Sequence, residues 1–459
     1  IGESTKKLLL DGKDSSIGEK GVGFKSVFGV AESVEIHSNG FDFVLNDKTP
    51  TVPDKCDALA GEDTSGTTLV FKMKSDIGQA LKEDRILRLC LCLRNLKRIN
   101  IQEKSVQITD GETERTVSIG DKVYHFEKFS YDFEITDKKV IKERSVNQRV
   151  VSPQQSIYCY IPKDYKTEKY LLYVGLPTTV ECNVPLIIDA PFELTTSRDN
   201  VIESCWNEYV RDKLYEAIFK LMESKKQDAR IDVLRYVKFI PQNSTFLCDN
   251  FSEQYLNKFD WTNKLKHAEV LPVLNLNEFV SADRGDCLII PEVIAYILMK
   301  MDIGNDFDGV LIDTYKKTQY VPLLEVIGCH RSGIREDLDC IMEAAGELIT
   351  EEKFREVLYA YLLLPATQQK LREQRLFDKV KELPVFPIRT RSGVEYVPYS
   401  KNIYTHDNKV SDNDFKILET KILKYENAQA IIGSNDRINE LSQEVYEARY
   451  QNNLIAYIK

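Results

Sequence analysis

The chain contains no Cys-x-x-Cys pair, no His-Glu-x-x-His segment and no apolar run approaching the ~18–20 residues of a membrane-spanning helix. The first absence excludes a zinc ribbon. The second leaves His37, His125, His267, His330 and His406 isolated, as surface or core residues rather than metal ligands. No signal peptide is visible, and a membrane is not an expected partner. Positive charge is also short. Lys and Arg total 62 against 72 Asp and Glu, a formal charge of −10 and a pI near 5.3. A surface built to grip nucleic acid rests on clustered Lys and Arg, so this balance argues against one. The ten cysteines are scattered, most among apolar neighbours as in Leu89-Cys90-Leu91-Cys92-Leu93. That is the pattern of buried free thiols, and it implies a reducing, intracellular setting, cytoplasmic or nuclear. An initiating methionine is missing too. Residue 1 is isoleucine and the chain opens in mid-pattern, which reads as a fragment of a longer protein.

What is present is ordinary for a globular protein: 459 residues, 42% apolar and 29% charged, enough for about three domains. Val34-Glu35-Ile36 and Phe41-Asp42-Phe43-Val44-Leu45 flank Asn39-Gly40, a strong hairpin signal. Thr67 to Phe71 reads as a strand. Between Gln79 and Leu96, apolar residues recur at three and four positions and predict an amphipathic helix. Residues 104 to about 190 are strand-rich, with Asp110-Gly111 as a second turn. A helix is predicted from about Val201 to Met222, with Asp199 or Asn200 as its cap. Beyond residue 230, Leu271-Pro272-Val273 recurs as Leu383-Pro384-Val385, suggesting a duplicated unit of β-hairpin plus helix. The charged tail from Asp412 to Lys459 reads as helical.

The segment Ser16 to Phe28, SIGEKGVGFKSVF, has the ingredients of a phosphate loop. A Rossmann loop requires G-x-G-x-x-G directly after an apolar strand. Here the order is Gly18-x-x-Gly21-x-Gly23 after a polar stretch, so that reading fails. A Walker loop fails by one residue, because the inserted Phe24 turns Lys25 by about 100° around the following helix.

The arrangement instead resembles the ATP lid of the GHKL superfamily, which includes heat-shock chaperones, MutL-type and gyrase-type ATPases and histidine kinases. In that comparison Gly18, Gly21 and Gly23 are lid hinges. The amides of Gly21, Val22, Gly23 and Phe24, with Lys25, face the phosphates at a helix N-terminus. Ser65-Gly66-Thr67-Thr68-Leu69 is similar to the Gly-Thr strand of the same ATPases, where Gly66 and Thr67 would lie on the adenine side. Phe24-Lys25-Ser26-Val27-Phe28 looks most like the sacsin/NO VEIN-type members. A second block, Val184 to Val210, resembles their segment ending in a Ser-Arg-Asp turn, and by position Arg198 is the arginine that would reach the γ-phosphate as the catalytic group. Lys25 could equally be a solvated lysine on a first helical turn, and Arg198 an exposed arginine beside a helix cap.

The resemblance covers roughly residues 1 to 230. It implies an α+β fold: the C-terminal part of a GHKL (Bergerat) α/β sandwich over 1–103, a chaperone-like α/β middle domain over 104–230, and a mixed helical and β-hairpin region over 231–459. It implies ATP and Mg²⁺ as cofactors of an intact parent and proteins, as clients or assembly partners, as its targets. The water-activating glutamate with its Mg²⁺-holding asparagine, and the adenine-reading Asp-x-Gly-x-Gly turn, belong N-terminal to the lid, and none precedes Gly18. A Glu143-x-x-x-Asn147 match follows the lid and reads as accidental. The parent is therefore expected to be either an ATP-dependent, chaperone-like or assembly factor, or a non-catalytic interaction scaffold that keeps a relic GHKL domain. A MutL-like role on nucleic acid is weakened by the acidic balance.

Overall fold

A computed structural model describes residues 25–38, 40–59, 67–75, 82–94, 96–101, 104–146, 153–163, 170–182, 184–195, 201–237, 261–301, 307–390, 392–405 and 416–441, with positions 447, 448, 451 and 455. The protein is α+β and separates into two compact units, one of residues 1–222 with 235–260, the other of 223–234 with 261–459.

The first unit contains two sheets. In the smaller, β1 (Ala31–Ser38), β2 (Phe41–Asn46), β3 (Asp54–Lys55) and β4 (Thr67–Met73) are ordered β3-β2-β1-β4, all antiparallel. Ser38 pairs with Phe41 across a two-residue turn in which Gly40 has φ +75°. That left-handed conformation is why the turn requires glycine there. Phe28, from the 3-10 turn Lys25–Gly29, joins Ala31, Val34, Ile36 and Leu45 in a small core. Lys74 Nζ donates to Phe28 O at 2.7 Å, satisfying a carbonyl at the end of that turn. Among the described residues β4 is an edge strand, and its Leu69, Val70 and Phe71 are exposed.

The larger sheet holds β5 (Arg98–Ile101), β6 (Lys104–Asp110), β7 (Glu114–Ile119), β8 (Lys122–Glu134), β9 (Gln154–Pro162), β10 (Leu171–Val174), β11 (Leu176–Glu181) and β12 (Ile187–Asp189), ordered β11-β10-β12-β9-β8-β7-β6-β5. Helix α1 (Glu83–Cys90) lays Ile86, Leu87 and Cys90 into its core beside Val106, Val117, Ile119 and Phe126. Helix α1 packs on this sheet, and β5 forms its edge with Ile99 against the same core. Helix α2 (Lys138–Val146) follows β8, and α3 (Cys205–Ala229) follows β12.

One face of the larger sheet carries charge that its alternation would assign to the core. Arg115 occupies a buried position of β7, in phase with Val117 and Ile119. Its Nη2 donates to Leu93 O at 2.7 Å and its Nη1 lies 3.2 Å from Asp110 Oδ1. Nearby, Arg94 donates twice to Asp189 Oδ2 (2.7 and 3.2 Å) and lies over the Tyr158 ring at 4.4 Å. Asp189 is buried, and its other oxygen accepts from Gly175 N at 2.9 Å. A buried charge persists only when paired and hydrogen-bonded, and both conditions hold for Asp189.

In the second unit, β15 (Cys287–Ile289) is flanked in parallel by β16 (Val310–Ile312) and β17 (His330–Arg331). A five-stranded sheet, β19-β18-β21-β20-β22, comprises β18 (Phe386–Thr390), β19 (Gly393–Val397), β20 (Ile403–Thr405), β21 (Lys416–Leu418) and β22 (Asn439–Glu440). The two Leu-Pro-Val segments both open hairpins. The first forms β13 (Leu271–Pro272) with β14 (Phe279–Val280), and the second leads into β18–β19. The first hairpin stays two-stranded, whereas the second is extended by β21, β20 and β22. The tail expected to be helical thus contributes two strands as well as a helix, since strand partners distant in sequence outweigh its charged composition.

The helices of this unit, α4 (Trp261–His267), α5 (Glu292–Lys300), α6 (Val321–Val326), α7 (Ile334–Leu348), α8 (Glu352–Leu363), α9 (Pro365–Glu373), α10 (Phe377–Glu382) and α11 (Tyr425–Ile432), supply most of its core. Inside it, Asp337 is 2% exposed and accepts from Ser332 Oγ (2.7 Å) and Tyr361 Oη (2.6 Å). Burial pushes its carboxyl up to about 6, against the pull of those two hydrogen bonds. The folded state therefore holds the proton more tightly than the unfolded chain. This contribution to stability is complete below the ordinary aspartate range and is lost as pH rises through about 6. Between about pH 5 and pH 7 the loss is about 1 kcal/mol. In urea unfolding of the second unit, Asp337→Asn should flatten that slope. A variant profile parallel to the parent's would contradict this assignment.

Candidate functional site

Of the residues expected to bind nucleotide, Gly18, Gly21, Val22, Gly23, Phe24 and Gly66 lie outside the described residues, as does Arg198. Lys25 and Thr67 are described. Lys25 is the first residue of the 3-10 turn, and Thr67 is the first residue of β4. The turn enters β1 at Ala31, while Thr67 pairs in register with Ser38 at the other end of β1. Eight residues of strand thus carry both expected elements. At Ser38 the pairing puts two hydroxyls together, with Thr67 Oγ1 2.8 Å from Ser38 Oγ. Thr67 is exposed, so its hydroxyl can exchange a further hydrogen bond with solvent or ligand.

The arginine turn is known through what holds its ends. Leu194 and Val201 form an antiparallel bridge, and Ile202 N donates to Glu193 O at 3.1 Å. Asn207, fully buried in the first turn of α3, spans the same gap with its amide. Its Oδ1 accepts from Glu193 N (2.7 Å), and its Nδ2 donates to Glu193 O (2.9 Å) and Ile202 O (2.7 Å). Ser204 caps the helix, its Oγ accepting from Asn207 N at 3.1 Å. Trp206 is buried as well and donates Nε1–H to Pro191 O at 2.7 Å. The described residues on either side, Glu193–Leu194 and Val201–Ile202, are thus held together at the N-terminus of α3.

The cap expected at Asp199 or Asn200 is Ser204, and α3 begins at Cys205, because residues before it are drawn into the bridge. Asn207 was not anticipated. An asparagine early in a helix carries a weak signal, since the residue usually favours caps and turns, and only the fold brings two carbonyls and an amide around it. Glu143 lies on α2, where it hydrogen-bonds the Cys205 thiol and, together with burial, pushes that thiol up. Its expected partner in the accidental motif, Asn147, lies outside the described residues. Among the described residues, no group of three or more His, Cys, Asp or Glu is placed to hold a metal, and no helix is long and apolar enough to cross a membrane.

Part of the chain is recognisable in a known protein. A stretch of 43 residues is 58% identical to Protein NO VEIN of Arabidopsis thaliana. It covers 9% of this chain and 1% of that protein. No protein-family model matches the chain.

Proposed function

We propose that this chain is part of a sacsin/NO VEIN-like GHKL protein that binds ATP under the Gly18-x-x-Gly21-x-Gly23 lid. The parent couples nucleotide binding to engagement of the Arg198 turn, in a chaperone-like or assembly cycle whose targets are proteins. The observation that carries this reading is the identity with Protein NO VEIN, in a chain whose sequence reads lid, helix, hairpin and Gly-Thr strand in order. The pairing of Thr67 with Ser38, on the strand that also follows the lid helix, supports it. Where ATP is bound, its phosphates would meet the backbone amides of Gly21 to Phe24, and the Thr67 hydroxyl would lie on its adenine side. The residues that ligate magnesium and activate water would come from elsewhere in the parent.

Calorimetry on the full-length protein tests the reading. Mg²⁺–ATP should bind, and Gly21→Ala with Gly23→Ala should weaken it at least about tenfold, because side chains there obstruct close approach of the amides to phosphate. Absence of ATP binding by the full-length protein would leave the scaffold reading in its place.

A further inference from the structure

The second unit contains a pair of thiols that the nucleotide reading does not use. Leu288 of β15 is paired with His330 of β17 in a parallel register. One residue earlier on each chain are Cys287 and Cys329, which consequently face each other on the opposite side of the pleat. Both cysteines are buried, while His330 on the other side is exposed. Neighbouring strands run about 4.8 Å apart, inside the ~4.4–6.8 Å Cα window of a disulfide. The Cys329 thiol is hydrogen-bonded to Cys287 Sγ, and the Cys287 thiol donates to Ser281 O at 3.5 Å. Burial here is shallow. Asp283, Arg284 and Gly285 are exposed on one side, and Glu325 and Val326 on the other.

From this geometry we infer that Cys287 and Cys329 are a redox-active dithiol, oxidised by hydroperoxides to an intramolecular disulfide, with Cys287 attacking and Cys329 resolving. The hydrogen bond from Cys329 holds the Cys287 thiol below its ordinary value, aided by Arg284 and opposed by burial and by Asp283 and Asp286. The Cys329 thiol is held well above its own, first by that same bond and then by burial. Of the two, Cys287 is the thiol that ionises more readily, and the thiolate is the nucleophile. Cys287 Sγ attacks one oxygen of the peroxide. The O–O bond breaks, a sulfenic acid forms, and the departing hydroxide takes a proton to leave as water. Cys329 Sγ then attacks the sulfenic sulfur. An S–S bond forms, the S–O bond breaks, and the oxygen leaves as a second water with the Cys329 proton. The two thiols lose two electrons in all, and hydrogen peroxide is reduced to two waters. The pairing needs no strand to move, because the register already sets both sulfurs side by side.

The test is peptide mapping of the full chain, treated with hydrogen peroxide, alkylated and digested without reductant. The expected product is a Cys287–Cys329 cross-linked peptide pair that dithiothreitol reverses. In Cys329→Ser the sulfenic acid should persist on Cys287 and be captured by dimedone, whereas in Cys287→Ser dimedone should not label Cys329. Mapping of the unsubstituted chain decides the matter even if a variant fails to fold. Two results overturn the inference. One is no cross-link at peroxide levels that oxidise the half-buried Cys56 and Cys205. The other is sulfinic acid on Cys287 while Cys329 stays reduced.

Discussion

Arg198→Ala in the full-length protein is expected to slow single-turnover ATP hydrolysis by on the order of 10³-fold or more, while ATP binding changes little. The negative charge that develops around a transferring γ-phosphoryl group is greatest in the transition state. A guanidinium placed there acts chiefly on the rate, as arginine fingers do. Arg198→Lys should recover little, because an ammonium lacks the planar fork that grips two phosphate oxygens at once. Quenched-flow measurement of the first turnover separates this effect from product release. A rate unchanged in Arg198→Ala would remove Arg198 from the γ-phosphate. An equal loss of binding and rate would make it a ground-state contact instead.

The second large effect is expected at Asn207. Asn207→Ala removes three hydrogen bonds at once from buried backbone, although Glu193 O keeps the bond that Ile202 N donates to it. A buried group that loses its bond costs about 1–3 kcal/mol, and with two such losses the first unit is expected to lose about 2–6 kcal/mol of stability. Asn207→Asp is the sharper variant. It keeps the acceptor for Glu193 N but turns a carboxylate toward two carbonyl oxygens that now receive a hydrogen bond. It should therefore be at least as destabilised as the alanine variant near neutral pH and should partly recover in acid, where the protonated carboxyl can donate again. Denaturant unfolding across pH measures both. An Asn207→Ala variant within about 1 kcal/mol of the parent would show that the bridge between Leu194 and Val201 holds the turn without its clamp.

These two residues differ in how they could be found. Arg198 is singled out because Val184 to Val210 resembles the segment of sacsin/NO VEIN-type proteins that ends in a Ser-Arg-Asp turn. Asn207 has no such mark. The hairpin at Asn39-Gly40 was legible because a glycine with positive φ is a local requirement, and it is found at Gly40. The turn between β7 and β8 at Gly120-Asp121 rests on the same kind of local rule, with Gly120 at φ +58°. Helix α1 was legible in part: of the expected stripe Ile86, Leu89, Cys90, Leu93 and Leu96, Ile86 and Cys90 are buried, whereas Leu89 and Leu96 are exposed, and the sheet that α1 covers was not legible. Periodicity states that a face is buried and is silent about what buries it.

The α+β class was implied by the family resemblance. Local sequence was enough for the Asn39-Gly40 and Asp110-Gly111 turns and the helical stretches of α1 and α3, which are written in neighbouring residues through backbone conformation and side-chain period. Tertiary structure alone decided that α1 and β5 join the larger sheet and that the charged tail contributes β21 and β22. It also decided that Arg94 meets Asp189, that Asn207 joins Glu193 to Ile202, and that Cys287 lies beside Cys329. Each of these pairings joins residues brought together by strand register or by packing, and such partners are chosen by the free energy of the whole unit rather than by any local stretch of chain.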